Sequence, residues 1–182
     1  MRRADGSGRR RNAGRVAQFG QNRPFLPPLQ VVNNKRAKLP KSLVMPRTTA
    51  DIAHDIATFA PKKDNWLALD SLMAELWQAG HPEQAIPELL SVFERYPEEE
   101  GFGVVWGVLH GLEALPNYET ELLRSLSRQP SEFGVRMVGR LLNAGTTEVG
   151  GISLLKTLRE LAATASSPRI REAARGFVSR ND

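Results

Sequence analysis

The chain has 182 residues, no cysteine, and 25% charged side chains with a net charge of +5. That length fits one domain plus an extension, and the lack of cysteine excludes a disulfide framework, a thiolate metal site and a thiol nucleophile. There is no run of about 18 apolar residues, so no membrane span is predicted. The N-terminal arginines lack the apolar stretch of a secretory signal, which places the expected location in the cytoplasm.

The basic character is not spread evenly. Residues 1–50 hold 12 Lys/Arg against the single acid Asp5, a net +11, which leaves residues 51–182 at −6. The first 48 residues carry Arg9-Arg10-Arg11, scattered Gly and Asn, and Pro24-Phe25-Leu26-Pro27-Pro28, with no sustained period of 2 or 3.6. Such a segment buries too little apolar surface to offset its ordering entropy, so residues 1–48 are predicted to be a disordered basic extension. Two readings of it stay open. It is either a basic arm for RNA, DNA or acidic partners, or an over-long reading frame whose true start is Met45.

Residues 49–182 are predicted to be a helical-repeat domain. Asp64 is expected to cap a helix carrying Trp66, Leu67, Leu69, Leu72, Met73, Leu76 and Trp77, stopped by Gly80. Pro82 opens a second helix with Ala85, Ile86, Leu89, Leu90 and Phe93 on one face. A third spans about residues 101–115 and ends at Pro116. Further helices are expected over about 118–128, 131–144, 148–165 and 168–179, signalled by Pro130, Ser131, Asn143-Ala144-Gly145 and Ser167-Pro168. No segment alternates with period 2, so no sheet is expected. About seven helices with short turns give an all-α fold of antiparallel pairs, either a short HEAT-like solenoid or a bundle.

Charge is segregated within this domain. Residues 81–121 contain nine glutamates, among them Glu98, Glu99, Glu100, Glu113, Glu119 and Glu121, against Arg95 alone; residues 122–182 hold ten Lys/Arg against five acids. If sequence order maps onto space, one side is acidic and the other basic. Glu98-Glu99-Glu100 suits a helix N-terminus on macrodipole grounds. A cationic partner would also relieve their mutual repulsion and be steered toward them. Gly103, Gly107 and Gly111 fall every four residues, at a helix cost of about 1 kcal/mol each relative to alanine. Close approach of another helix or of a partner is the expected compensation. His110 is a neighbour of Trp106 and Glu113 at helical spacing, which serves an acid/base couple or a plain hydrogen bond. His54, His81 and His110 show no metal-ligand spacing, and no catalytic fingerprint is present. No cofactor, metal or small-molecule substrate is expected, and the chain is not read as an enzyme.

The stretch Trp106-Gly107-Val108-Leu109-His110-Gly111-Leu112-Glu113-Ala114-Leu115-Pro116-Asn117-Tyr118, followed by Pro130-Ser131-Glu132-Phe133 and Leu141-Leu142-Asn143-Ala144-Gly145, resembles the small all-helical, HEAT-like immunity proteins of bacterial polymorphic toxin systems. The resemblance covers about a quarter of the chain. It implies a protein that neutralises a cognate toxin, often a nuclease with a cationic cleft, by direct binding. The acidic face is then the contact surface, through Glu98, Glu99, Glu100, Glu113, Glu119 and Glu121. Trp106 or Tyr118 would anchor it if exposed, with His110 beside them. Such proteins are not expected to carry a basic arm. The competing readings are a HEAT-like interaction scaffold with another partner, and a nucleic-acid binder, which the acidic body disfavours.

Overall fold

The computed structural model describes residues 46–181; the basic extension expected over residues 1–48 lies almost wholly outside them. Among the described residues there are eight α-helices: α1 (Thr49–Thr58), α2 (Leu67–Ala79), α3 (Ile86–Arg95), α4 (Val104–Glu113), α5 (Glu119–Arg128), α6 (Glu132–Asn143), α7 (Leu154–Thr164) and α8 (Pro168–Asn181). The fold is all-α, as the periodicity predicts. Helix α1 is additional to the seven expected. Thr48 and Asp51 form a reciprocal capping box at its start, and Ile52, Ala53 and Ile56 bury its inner face.

Each helix boundary follows from local chemistry. The cap of α2 is not Asp64. That residue sits at φ 58 in a tight turn whose Lys62 and Asn65 form a bridge, and the Asn65 Oδ1 accepts from the Leu67 N–H at 3.1 Å. Pro82 opens a 3-10 turn, Pro82–Ala85, ahead of α3. Ser131 caps α6, its hydroxyl accepting from the Gly134 N–H at 3.2 Å. Helix α7 begins six residues later than expected, because Gly150 and Gly151, at φ 56 and 81, close a hairpin of β1 (Glu148–Val149) and β2 (Ile152–Ser153). The expectation of no sheet is corrected by that small pair.

Helices α1 and α2, α3 and α4, α5 and α6, and α7 and α8 each pack as a hairpin. Their first members stack in one layer, α1 on α3 and α3 on α5. Their second members stack in the other, α2 on α4, α4 on α6 and α6 on α8. This is the solenoid of the two predicted architectures. In the first layer the step from α5 to α7 leaves an open cleft of about 600 Å³, lined by Leu123, Leu126, Ile152 and Leu161 among others.

One continuous core runs between the layers. Phe93 of α3 stacks on Phe133 of α6 at 5.6 Å, and Trp106 of α4 meets Phe133 edge-on at 5.1 Å. At the first hairpin Trp66 lies between Phe59 and Tyr96, with centroids at 5.7 and 5.0 Å. The Arg95 guanidinium donates to the Ile56 carbonyl at 2.7 Å and to the Phe59 carbonyl, so α3 satisfies the open C-terminal end of α1.

Candidate partner-binding site

Stacking brings residues far apart in sequence side by side, and this redraws the charge map. Arg128 on α5 holds Glu94 of α3 at 2.7 Å and Glu121 at 3.0 Å, and Arg124 holds Glu121 at 3.2 Å. Arg140 on α6 grips Glu113 of α4 through two hydrogen bonds, one of 3.0 Å. Arg169 on α8 reaches Glu100 at 3.1 Å. The acidic and basic halves therefore interleave. Glu100, Glu113 and Glu121, expected to face a partner, are neutralised within the fold. Arg124, Arg128, Arg140 and Arg169 of the C-terminal half are held in the same pairs, so they contribute a mixed-charge surface and not a phosphate ridge.

Glu132 anchors this network. It is 3% exposed, pairs with Arg136 at 2.5 Å and with Arg169, and its backbone N–H donates to the Pro97 carbonyl at 2.8 Å. Burial of one carboxylate between two guanidinium groups fixes geometry more than it adds stability. Glu132 and Glu100 together hold the Arg169 guanidinium above its ordinary pKa, with Glu132 the larger cause. The loop of residues 97–100 is thus pinned to α6 and α8 from below.

What that loop carries is an exposed phenylalanine. The Gly101–Gly103 turn has three successive left-handed residues, at φ 53, 51 and 93, so α4 begins only at Val104. Gly101 packs against the Trp66 ring so closely that a Cβ there would come within 2.6 Å of it. Phe102, at the centre, is 87% exposed. A non-glycine residue in this region costs roughly 1–2 kcal/mol, and its ring gains no core contact in return. Glu98 and Glu99, just before it, are exposed and make no ion pair among the described residues. Sequence reasoning placed Phe102 inside a regular helix. The signal that marks it is an apolar residue between two glycines directly after three glutamates.

The other expected contact residues are differently placed. Tyr118 is 6% exposed, and burial, aided by Glu119 and Glu113, pushes its phenol up to about 12; it is a core residue and no anchor. Trp106 is half-buried beneath the Arg136 guanidinium, at 5.4 Å, and packs on Phe133. His110 is exposed on α4 with Nδ1 3.5 Å from Glu113, as the spacing predicts, but Arg140 already holds that carboxylate. Glu119 is half-buried and unpaired among the described residues. Among those residues no group of three His, Asp or Glu is placed to hold a metal ion, and no helix is long and apolar enough to cross a membrane.

The glycine stripe also divides. Gly103 lies outside the helix. A Cβ at Gly111 would meet the Trp77 ring at 2.8 Å, so glycine is required there by packing of α2 on α4. A Cβ at Gly107 would meet nothing within 4 Å. Trp77, expected within the apolar stripe of α2, is 39% exposed, and Leu67 at the head of α2 is 69% exposed. Comparison of the chain with protein-family models, curated proteins and solved structures finds no match.

Proposed function

We propose that the chain is a binding protein that holds a cationic partner protein on the turn carrying Glu98, Glu99 and Phe102, and that this partner is a toxin domain which it neutralises. The observation that carries the reading is Phe102, 87% exposed on a left-handed backbone. Aromatic residues, phenylalanine among them, are enriched at protein interfaces relative to the rest of the surface. Strain retained without an internal contact points to a use outside the fold. Glu98 and Glu99 add a field that steers basic surfaces to the same place. The toxin assignment adds the resemblance of residues 101–145 to immunity proteins.

One observation favours the broader scaffold reading. Pairing of Glu94, Glu100, Glu113 and Glu121 with arginines leaves far less free acid than the sequence offers, so apolar contact at Phe102 carries more of the proposed interface than charge does. Growth rescue separates the two. The chain is co-expressed with a toxin-like protein encoded beside it, and rescue is expected to weaken in Phe102→Ala and in Glu98→Lys with Glu99→Lys. Loss of viability regardless of co-expression would remove the toxin assignment.

A further inference from the structure

Arg169 is the second residue of α8, where a cation stands against the positive pole of its own helix. Its partners lie elsewhere in the fold. Nε pairs with the buried Glu132 of α6, and Nη2 donates to the Glu100 carboxylate at 3.1 Å, 69 residues away in the chain. Glu132 already has Arg136 at 2.5 Å, so neutralising that carboxylate does not account for the reach of Arg169 to Glu100. The corner that presents Arg169 is firmly built. The Ser167 hydroxyl accepts from the Arg169 N–H at 3.1 Å and the Ile170 N–H at 3.3 Å, and Arg171 donates to the Ser166 carbonyl at 2.8 Å.

Glu100 is the residue on which the Phe102 turn closes. Its carbonyl accepts from the Gly103 N–H at 2.9 Å and the Val105 N–H at 3.4 Å, with Phe102 inside the loop so formed. Its side chain, 53% exposed, is held by Arg169. Three successive carboxylates, Glu98, Glu99 and Glu100, repel one another at such spacing. Arg169 is the cation beside them: Glu132 first, then Glu100 and Glu98, hold its guanidinium above the ordinary value.

We infer that Arg169 is a positioning residue for the partner-binding turn: its tie to Glu100 keeps the left-handed backbone closed and Phe102 presented before a partner arrives. The use of the turn rests on the proposed function; its geometry does not. Three left-handed residues in a row are a shape the chain adopts little by itself. A loose turn would have to be frozen on binding, and freezing the backbone of one residue weakens affinity by about tenfold. Through Glu100, α8 thus takes part in binding.

Two substitutions cut the tie from either side. Glu100→Ala acts at an exposed side chain and leaves Glu132 with both its arginines, so it is expected to fold; Arg169→Gln removes the cation. Hydrogen exchange in the full chain reads the turn with no partner present, through the Gly103 amide that donates to Glu100. Exchange at Gly103 is expected to be about tenfold faster in either variant, no faster in the double variant than in the quicker single one, and unaccompanied by change in the α8 amides of Glu100→Ala. Native-like exchange at Gly103 in Glu100→Ala, or effects of the two substitutions that multiply, would overturn the inference.

Affinity for the toxin domain encoded beside the chain gives the second readout, and its sign is decisive. A partner gripped directly by Glu100 would bind Arg169→Gln more tightly, since the carboxylate is released; positioning predicts binding about tenfold weaker. Equal or tighter binding by Arg169→Gln would overturn the role of Arg169 in binding. If the native chain binds no such domain, the proposed function falls, while exchange at Gly103 still decides whether Arg169 holds the turn.

Discussion

At the scale of single residues, the unusual feature is Phe102, whose left-handed backbone serves nothing inside the fold. Replacing it with glycine removes strain of roughly 1–2 kcal/mol, offset in part by the extra freedom glycine gives the unfolded chain. Phe102→Gly is therefore expected to be as stable as the native chain or more so in urea denaturation, while losing partner binding. A clear loss of stability would mean the ring has an internal role. Tyr118 gives a second residue-level prediction. Its phenol is raised in the folded state to about 12 from an ordinary value of 10. The folded state thus holds this proton where the unfolded chain has lost it, so stability is complete below about pH 10 and falls between pH 10 and 12. In Tyr118→Phe that fall should be smaller, as chemical denaturation across this range will show.

At the scale of elements, glycine packing gives paired forecasts. Gly107→Ala places a methyl in open space and gains helix propensity, so it should stabilise the chain by about 0.5–1 kcal/mol. Gly111→Ala drives a methyl against the Trp77 ring, 2.8 Å from an ideal Cβ, and should destabilise it. Gly139→Ala is more severe, because the Phe177 ring lies 2.2 Å from where its Cβ would be. A loss of roughly 1–3 kcal/mol is expected, with α8 the first helix to lose amide protection in hydrogen exchange. Element boundaries are legible wherever a side chain acts on its own backbone: Gly80, Ser131 and Pro168 each stand where the sequence places them, while Pro82 opens a 3-10 turn ahead of α3 and not α3 itself. They were not legible where two neighbours compete for one role. Asn65 takes the position expected of Asp64, and two strands of two residues are too short to show alternation. Helix α1 gives little signal in the sequence, since its buried face rests on Ile52, Ala53 and Ile56.

At the scale of the molecule, charge segregation along the sequence becomes charge pairing in space, because a solenoid sets each hairpin against the next. The Arg140–Glu113, Arg128–Glu94 and Arg169–Glu100 pairs join residues 27, 34 and 69 apart, separations that no local pattern encodes. The sequence therefore revealed the fold class and the solenoid option, but it overstated the acidic face. Of the nine expected contact residues, Glu98 and Glu99 remain exposed and unpaired among the described residues, His110 is exposed beside a carboxylate already held, and Tyr118 is core. Trp77 and Phe102 went unrecognised as surface residues because apolar residues at helical spacing read as core until the packing is known.

The central claim, that a partner is held at the Phe102 turn and not across a broad acidic face, is tested most directly by calorimetric titration of the chain against a toxin domain encoded beside it. Phe102→Ala is expected to weaken binding by at least 2 kcal/mol, about 30-fold, and Glu98→Gln with Glu99→Gln chiefly to reduce its salt dependence. Glu121→Gln, at a carboxylate already held by Arg128, should leave affinity within about twofold of the native chain. Equal binding by native chain and Phe102→Ala, with loss in Glu121→Gln, would contradict the account and return the interface to the acidic face.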